Sequence, residues 1–329
     1  MEEISLKLVG KVLEQDIVSD QDVLLLKKGK ILTEANILLL QKHRYKKIKV
    51  SEDLSFKKLY SQFLEKLEQL MNSIEEGKEL DLQKWFEQEE RIARKVHHDV
   101  SVISQMYELN AEPTLYRHST HVGLIAFYLG KLLRFSYKNK LLLWEMGVLH
   151  DIGKLKLDQQ LRNKHEGELT GKDLRQYKKH PELGWAILNE LKKMNVMMLN
   201  SSRYHHEKLD GSGFPKGIKV KYISVMVQIV SVANFIDNEF SRHGNLFTLV
   251  NKLVEETKNN KLSPAIITPF IRSFMRNQVG KKVLLSNALV GEIVFIFDNE
   301  PSQPLLYIVD TDKFIDLRKH IKIKIIEFV

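Results

Sequence analysis

The order of apolar and polar positions divides the chain into four stretches. In the first, short β-branched runs flank one helical pattern, and in the last, β-branched runs are separated by polar turns. The two middle stretches have apolar residues three and four positions apart, which predicts amphipathic helices. The stretches are 1–53, 54–111, 112–277 and 278–329. This pattern predicts a mainly α protein, in which a helical bundle lies between a small N-terminal α/β module and a small C-terminal β domain.

The first stretch is predicted to be an accessory module. Lys28 and Gly29 mark a turn, Thr33 stands at the N-cap position of a helical pattern, and the run KKIKV from Lys46 is typical of a strand. No groups in this stretch have the spacing of a catalytic site. We interpret the module as regulatory, with another protein as its candidate partner.

The second stretch is predicted to be a helical connector. Leu59, Phe63, Leu67 and Leu70 form an apolar stripe, but the pattern does not keep to strict heptads. Two alternatives are therefore open. The stripe could pair with a second copy of the chain to form a homodimer, or it could pack against helices of its own chain.

Composition narrows the location of the protein and its ligands. No run approaches about 18 apolar residues, and the start lacks the basic and apolar regions of a signal peptide, so we expect a cytoplasmic protein with no membrane span. The net charge of +9 favours anionic ligands, but the lysines are scattered, and nucleic acid is not an expected partner. Because the chain has no cysteine, a metal site would need histidine, carboxylate or amide ligands.

Histidines are concentrated in the third stretch, which holds eight of the twelve. His118 shares a helical face with Val122 and Ile125, so its ring is predicted to point into the core. A single histidine in this position is more often a core residue than a ligand. His150 and Asp151 weaken that reading, because neighbouring groups at a helix end can reach one point and a carboxylate can bridge two cations.

Three more histidines belong to the same candidate site. His180 precedes Pro181, which suits the first position of a helix. His205 and His206 begin the run HHEKLDGSGFPKG, which by itself is equally typical of a polar surface turn. Two adjacent buried imidazoles need partners for their ring nitrogens, and a metal ion would provide them.

Oxygen-bearing side chains complete the predicted cluster. Asn234 and Asp237 lie on the buried face of a later helix and would join Asp151 and the five histidines. So many inward-facing polar groups favour two divalent ions, and a ligand set without thiolate suits iron, manganese or zinc, of which we expect iron or manganese. Two ions about 3.5 to 4 Å apart can hold a hydroxide that attacks a phosphodiester.

Groups around the cluster are predicted to bind the substrate. Lys154 would reach phosphate oxygens as a point charge. Lys208 and the loop that contains Gly211 and Gly213 would close over the ligand, because glycine lets the backbone come close. Asp151 and Lys154 are therefore the predicted catalytic residues.

The order of these motifs resembles that of the HD-GYP family of cyclic di-GMP phosphodiesterases, a branch of the HD superfamily of metal-dependent phosphohydrolases. The motifs are RHSTHV, VLHDIGKLKL, ELT, YKKHPELG and HHEKLDGSGFPKGI. The resemblance implies an HD-type helical bundle, and hydrolysis of cyclic di-GMP to pGpG or GMP by a metal-bound hydroxide at a two-metal site.

The resemblance also implies roles for individual residues. The implied metal ligands are His118, His150, Asp151, His180, His205, His206 and Asn234. The implied substrate-binding residues are Lys154, Lys208, Gly211, Gly213, Phe214, Asp237 and Arg242. Phe214 replaces the tyrosine of the GYP signature and loses its hydroxyl group, and Arg242 stands in for an arginine of the family.

Three departures from the family pattern affect these expectations. Asn234 replaces an aspartate that binds metal in the family, which removes one negative charge from the site. The run SRHGN replaces a basic segment that contacts the substrate. Thr114 replaces a glutamate that supports a third metal in some members, so we expect two ions at most.

Two functions from different classes follow from this sequence. The first is an enzyme that hydrolyses cyclic di-GMP. The second is a catalytically degenerate family member that senses a nucleotide or docks a partner, which the asparagine at position 234 and the lost basic segment would explain. Hydrolysis of another phosphorylated nucleotide is a third, minor alternative.

Overall fold

The chain divides into two compact units, residues 1–62 and 63–329. The computed structural model describes all residues except 10, 20, 52–54, 99–101, 110–112, 192–193, 220–221 and 321. The predicted boundaries between 53 and 54 and between 111 and 112 lie outside the described residues.

The N-terminal unit is a small α/β module, as the pattern predicts. Its strands form three antiparallel pairs, β1 with β5, β2 with β6 and β3 with β4. Thr33 caps α-helix α1 of this unit, and Gly29 has a positive φ of 85° at the predicted turn. The elements are β1 (Glu2–Glu3), β2 (Val12–Leu13), β3 (Ile17–Val18), β4 (Leu24–Leu26), α1 (Glu34–Lys42), β5 (Lys47–Ile48) and β6 (Val50–Ser51). A 3-10 helix, Leu6–Leu8, precedes β2.

The described residues of the connector form four helices, and the boundary between the two units falls within the first of them. They are α2 (Phe56–Glu75), α3 (Leu82–Glu89), α4 (Arg91–His98) and α5 (Val102–Glu108). Phe63, Leu67 and Leu70 of the predicted stripe are buried within this single chain, where Phe63 contacts Trp85 and Trp144 with ring centroids 5.6 and 5.8 Å apart. These residues thus pack against helices of their own chain, and pairing with a second copy stays a prediction.

The third stretch is helical, as predicted. Its helices are α6 (Leu115–Leu132), α7 (Tyr137–Leu149), α8 (Gln159–Arg162), α9 (Gly171–Tyr177), α10 (His180–Glu190), α11 (Val196–Tyr204), α12 (Val225–His243), α13 (Leu246–Lys258) and α14 (Pro264–Arg276). Two 3-10 helices, Ile152–Lys156 and Glu166–Glu168, lie between them. None of the helices within the described ranges is both long and apolar enough to cross a lipid bilayer.

Two glycines bring α6 and α7 into close contact. A Cβ atom on Gly147 of α7 would lie only 2.6 Å from the Cα of Gly123 on α6. The two backbones therefore touch where any larger residue would force them apart. This contact carries His118, near the start of α6, towards His150, at the end of α7.

The C-terminal stretch forms one antiparallel sheet, which confirms the predicted β texture. The strands are β7 (Lys282–Leu285), β8 (Val290–Phe295), β9 (Leu305–Ile308), β10 (Lys313–Asp316) and β11 (Ile325–Phe328). Their order in the sheet is β10, β9, β8, β7, β11. Buried Val283, Leu285, Ile293, Leu306 and Ile308 alternate with more exposed residues along the three central strands.

Candidate metal centre

Asp151 lies at the centre of the histidine cluster. His150 is the C-cap of α7, and Asp151 precedes the 3-10 helix at 152–156, so both side chains project from one helix end. That short helix packs tightly on α10, because a Cβ atom on Gly153 would lie 1.9 Å from the carbonyl oxygen of His180. The result is that Asp151 and His180 are held side by side by backbone contact.

The two oxygens of Asp151 face two different sets of histidines. Oδ1 lies 3.0 Å from Nε2 of His180 and 3.4 Å from Nε2 of His205. Oδ2 lies 3.4 Å from Nε2 of both His118 and His150. His206 joins the first set, in which the ligand atoms lie within 4.8 Å of one another. The structure thus brings together the five predicted histidines around the predicted bridging carboxylate.

The opposite ring nitrogens show which tautomers these histidines adopt. Nδ1 of His150 donates to the carbonyl oxygen of Gly147 at 2.6 Å, and Nδ1 of His180 donates to that of Tyr177 at 2.7 Å. Nδ1 of His205 lies 3.0 Å from the carbonyl oxygen of Ser202. Since a carbonyl oxygen only accepts, Nδ1 carries the hydrogen in each ring, and Nε2 of a neutral ring is a lone-pair donor for a metal.

The cluster fits divalent cations by the chemistry of its atoms. Nε2 of His118, Nε2 of His150 and Oδ1 of Asp151 are buried and have no hydrogen-bond partner of suitable geometry in the described part of the chain. Nε2 of His180 and Nε2 of His205 lie 3.2 Å apart, so two lone pairs face each other. Such an arrangement is unfavourable without a cation between the rings. Imidazole and carboxylate together suit iron, manganese or zinc.

Burial controls the charge of the ligands. It lowers the pKa of His180 to about 4, although Asp151 opposes the shift. It lowers the pKa of His150 well below the usual value in the same way. For Asp151 burial raises the pKa, but Lys154 and the neighbouring histidines outweigh it and hold the pKa well below the ordinary range. Neutral His150 and His180 beside an ionised Asp151 are in the protonation states that bind metal.

Lys154 is the cation nearest to the centre of the cluster. Its Nζ lies 2.7 Å from Oδ2 of Asp151 and 5.0 Å from the centre of the Tyr177 ring, and the side chain is almost fully buried. Burial lowers the pKa of Lys154, but the charge and hydrogen bond of Asp151 together with Tyr177 outweigh it, so the pKa is above the ordinary value and the ammonium group stays charged. A permanent positive charge therefore stands beside the candidate metal ligands.

Asp237 holds two histidines in place. Its Oδ2 accepts a hydrogen bond from Nδ1 of His118 at 2.7 Å, and its Oδ1 accepts from Nδ1 of His121 at 2.7 Å and from the hydroxyl group of Tyr107 at 2.9 Å. Both oxygens are thus engaged with the protein, and the predicted contact of Asp237 with a substrate stays a prediction. A carboxylate behind a metal-binding histidine fixes the ring and makes it a stronger ligand.

Asn234 takes part in a chain of hydrogen bonds that runs through Asn238 to His165. Its Oδ1 accepts from Nδ2 of Asn238 at 2.7 Å, and Oδ1 of Asn238 accepts from Nδ1 of His165 at 2.9 Å. Asn234 is buried on α12, as predicted. Its role as a metal ligand stays a prediction.

The glycine loop is anchored to the cluster through Glu207. This buried carboxylate accepts hydrogen bonds from the backbone N–H groups of Lys216, Gly217 and Ile218 at 2.7, 3.1 and 3.0 Å. A Cβ atom on Gly213 would lie 2.4 Å from the carbonyl oxygen of His206, so only glycine fits there. The loop therefore closes directly onto the residues that follow the two candidate ligands.

Of the other predicted substrate-binding residues, some lie in the loop beside His206 and others contact acidic groups of the protein. Gly211, at φ 84°, permits the turn of the loop, and the ring of Phe214 stacks on His206 with centroids 4.3 Å apart. Nζ of Lys208 lies 3.7 Å from Glu256 and points towards the ring of Phe235. Nη1 of Arg242 lies 3.1 Å from Glu239. The last two cations are thus directed at groups of the protein, and their contact with a substrate stays a prediction.

A pocket opens beside the cluster and is lined by more basic than acidic groups. Its wall includes His118, His121, Lys154 and Asp237 from the region already described. The remaining wall contains Arg117, Arg162, Asn163, Lys164 and His165, together with Pro113, Thr114, Leu115, Asn238 and Ser241. Asp237, whose oxygens accept from the histidines, is the carboxylate of this wall. The pocket therefore favours an anionic ligand.

The sequence prediction did not include several residues of this region. His121 and Tyr107 hold Asp237, Glu207 holds the glycine loop, and Arg117 lines the pocket. His121 had a detectable signal, because it lies three residues after His118 and so near the same helical face. The contacts of Tyr107, at 130 residues from Asp237, had no local signal.

Comparison with known proteins agrees with this geometry. A family profile described as HD domain matches residues 102–240. A cyclic di-GMP phosphodiesterase from Pseudomonas aeruginosa is 23% identical over 207 residues, which cover 61% of this chain and 49% of that protein. The 3'3'-cGAMP-specific phosphodiesterase 3 of Vibrio cholerae is 31% identical over 120 residues, 36% of this chain and 26% of that protein.

A solved structure shares the fold. An HDG"Y"P protein from Bdellovibrio bacteriovorus is similar with a TM-score of 0.50 and 19% identity, and the match covers 82% of this chain and 94% of that one. The chain spans about half the length of the Pseudomonas relative and about a quarter of the Vibrio relative. These findings confirm the predicted resemblance to HD-GYP proteins, and the similarity to the HD domain lies in residues 102–240.

Proposed function

We propose that this protein is a metal-dependent phosphodiesterase that hydrolyses a cyclic dinucleotide, with cyclic di-GMP as the first candidate substrate. The observation that carries the proposal is the convergence of lone-pair nitrogens from four histidines on the two oxygens of Asp151. The names of the relatives, which include phosphodiesterases of cyclic di-GMP and of 3'3'-cGAMP, support the substrate class.

The proposed cofactor is a pair of divalent ions, iron or manganese. One would be held by His180, His205, His206 and Oδ1 of Asp151, and the other by His118, His150 and Oδ2 of the same carboxylate. Bound ions at such a site supply Lewis-acid catalysis and lower the pKa of a water molecule that attacks phosphorus. Linear pGpG is the expected first product, and GMP would follow from a second hydrolysis.

The protein's own residues would prepare the site in two ways. Backbone carbonyl groups and Asp237 hold the rings so that their lone pairs face the centre of the cluster. The ammonium group of Lys154 would contact a non-bridging phosphate oxygen and stabilise the negative charge that develops during attack. The basic pocket would hold the rest of the anion.

Turnover by metal-loaded protein tests the proposal. The full chain, loaded with manganese or iron and with its metal content measured, is incubated with cyclic di-GMP and separately with 3'3'-cGAMP. We expect linear product from cyclic di-GMP. If both substrates stayed intact at full metal occupancy, the proposed activity would be refuted. Turnover of 3'3'-cGAMP but not of cyclic di-GMP would reassign the substrate within the same class.

The Lys154→Ala variant separates phosphate binding from metal binding. We expect it to keep both metal ions and to lose about 100- to 1000-fold in kcat/KM, the usual effect of removing one charge-stabilising donor. Metal analysis and turnover are measured on the same sample. Loss of metal together with activity would contradict the proposed role of the lysine.

A binding protein without catalysis is the second candidate function. The observation that favours it is Asn234, which stands where the resemblance implies a metal-binding aspartate and whose amide oxygen accepts from Asn238. In that case the metal-loaded protein would bind cyclic di-GMP in calorimetry without cleaving it. A large gain of activity in Asn234→Asp from an inert parent would support this second function.

A further inference from the structure

Arg117 stands out in the pocket beside the metal cluster. It lies on the first turn of α6, one residue before His118, where its backbone N–H donates to the hydroxyl oxygen of Thr114. Its Nε is buried and has no hydrogen-bond partner among the described residues. No ion pair between described residues includes this arginine.

The buried Nε–H group of Arg117 lacks an acceptor among the described residues, which is unfavourable. Arginine stays charged at all relevant pH values, and an unsatisfied buried N–H group loses its hydrogen bonds to water without replacement. The carboxylate of the pocket wall, Asp237, has both oxygens engaged with His118 and His121. The arrangement around Arg117 therefore suits an anion that enters the pocket from outside.

Arg162, which lines the same pocket, has a structural role because its hydrogen bonds go to groups of the protein. Its Nη2 donates to Glu75 at 2.7 Å and to the carbonyl oxygen of Leu155 at 2.7 Å, and its Nε donates to that of Leu157 at 3.1 Å. These partners hold α8 and the 3-10 helix together. Arg162 therefore stabilises the fold, whereas Nε of Arg117 is available to bind a ligand.

The pocket contains more positively charged side chains than one phosphate group would contact. Lys154 is bound to Asp151 at the metal cluster, where a phosphodiester would be cleaved. Arg117, with exposed Lys164 on the same wall, has no such link to the cluster. A cyclic dinucleotide carries a second phosphodiester with its own negative charge, and the planar fork of an arginine matches two oxygens of such a group.

We propose that Arg117 binds the second, uncleaved phosphate of the cyclic dinucleotide. This inference rests on the proposed function, which supplies the substrate class. It assigns Arg117 to substrate binding and not to the chemical step.

The test compares two substrates that differ in the number of phosphate groups. Wild type and Arg117→Ala, both loaded with manganese, are assayed with cyclic di-GMP and with bis(4-nitrophenyl) phosphate, which has a single phosphate. We expect KM for cyclic di-GMP to rise about 10- to 100-fold, the effect of losing one or two charged hydrogen bonds. We expect kcat/KM for the small diester and the metal content to stay unchanged.

Two variants serve as controls. Arg117→Lys keeps the charge but loses the fork, so KM for cyclic di-GMP is expected to fall between those of wild type and the alanine variant. Arg175→Ala removes the same charge from an exposed position on α9 and is expected to leave both substrates unaffected. If the alanine variant fails to fold, Arg117→Met retains most of the apolar stem and gives the same comparison.

The possible outcomes separate the inference from the proposed function. The role of Arg117 would be overturned if Arg117→Ala kept the wild-type KM for cyclic di-GMP, or if its kcat/KM fell equally for both substrates. In either case turnover of cyclic di-GMP by wild type would still support the proposed enzyme. If wild type cleaves the small diester but neither binds nor cleaves cyclic di-GMP and 3'3'-cGAMP, the proposed function fails and the inference fails with it.

Discussion

The two sides of the metal cluster are built on different principles. On one side, the Nδ1 groups of His180 and His205 donate to carbonyl oxygens within three or four residues of their own positions. On the other side, Nδ1 of His118 donates to Asp237, which is 119 residues away on α12. The first side is thus held by local backbone geometry, whereas on the second side a local carbonyl group, that of Gly147, holds His150 and a distant carboxylate holds His118.

This difference determines how each side responds to substitution. No side-chain change can remove the carbonyl oxygens that hold His180 and His205. Asp237, in contrast, receives hydrogen bonds from His118, His121 and Tyr107 together, so one substitution releases all three. We expect the His118 side to be the more sensitive one, and four substitutions test that expectation.

Asp151→Ala should have the largest effect, because it removes the carboxylate that both sides share. We expect both metal ions to be lost and activity to fall by at least about 1000-fold, which corresponds to several kcal/mol of lost stabilisation of the transition state. Metal analysis and turnover of cyclic di-GMP measure the two effects. Full metal occupancy in this variant would show that the two sides do not depend on Asp151.

Asp237→Asn should affect the two sides unequally. The amide keeps the size of the side chain but cannot accept from both histidines as a carboxylate does, so His118 loses its support. We expect the affinity for one of the two metal ions to fall about 10- to 100-fold, the usual result of changing a group behind a ligand.

Metal titration followed by calorimetry resolves the two binding events in this variant. Thermal unfolding of the metal-free protein provides the control for a general loss of structure. Equal weakening of both ions would contradict the proposed difference between the sides.

Asn234→Asp should strengthen the weaker side. It adds a negative charge on α12, four residues from Asn238, whose amide group can still donate to a carboxylate oxygen. We expect metal affinity to rise roughly tenfold, because the charge of the ligands sets the affinity for divalent cations. Unchanged affinity would indicate that position 234 lies outside the range of the ions in this protein.

Glu207→Gln should have the smallest effect, since it acts on the loop beside the backbone-held side. Three backbone N–H groups would lose a charged acceptor, and the loop over His206 would become less ordered. We expect KM to rise by about tenfold or less while metal content stays the same. A loss of metal in this variant would mean that the loop, and not the local carbonyl groups, positions His205 and His206.

The part of the site that lies in short sequence motifs was the easier part to predict. His150, Asp151, His180, His205 and His206 occur in short motifs whose helix ends can be recognised from the sequence, and the structure brings them together as expected. Pro181 proved to be the second residue of α10 and not the first, a shift of one position. Asp237 was predicted to lie on a buried helix face and to bind the substrate, and no local pattern indicated its hydrogen bond with His118, 119 residues away.

The sequence by itself determined the classes of structure along this chain and the chemistry of its centre. The three- and four-residue periodicity specified the helices, Thr33 specified the start of α1, and the absence of cysteine restricted the metal ligands to imidazole and oxygen. These properties depend on neighbouring residues or on composition, so they can be read without knowing the fold.

Only the tertiary structure decided which groups face each other across helices. The contact of Gly123 with Gly147 brings α6 beside α7, and α12 then places Asp237 behind His118 and His121. The same packing leaves Nε of Arg117 in the pocket without a hydrogen-bond partner among the described residues, while Arg162 donates to Glu75. Such pairings arise from the packing of distant elements, and spacing along one helix carries no record of them.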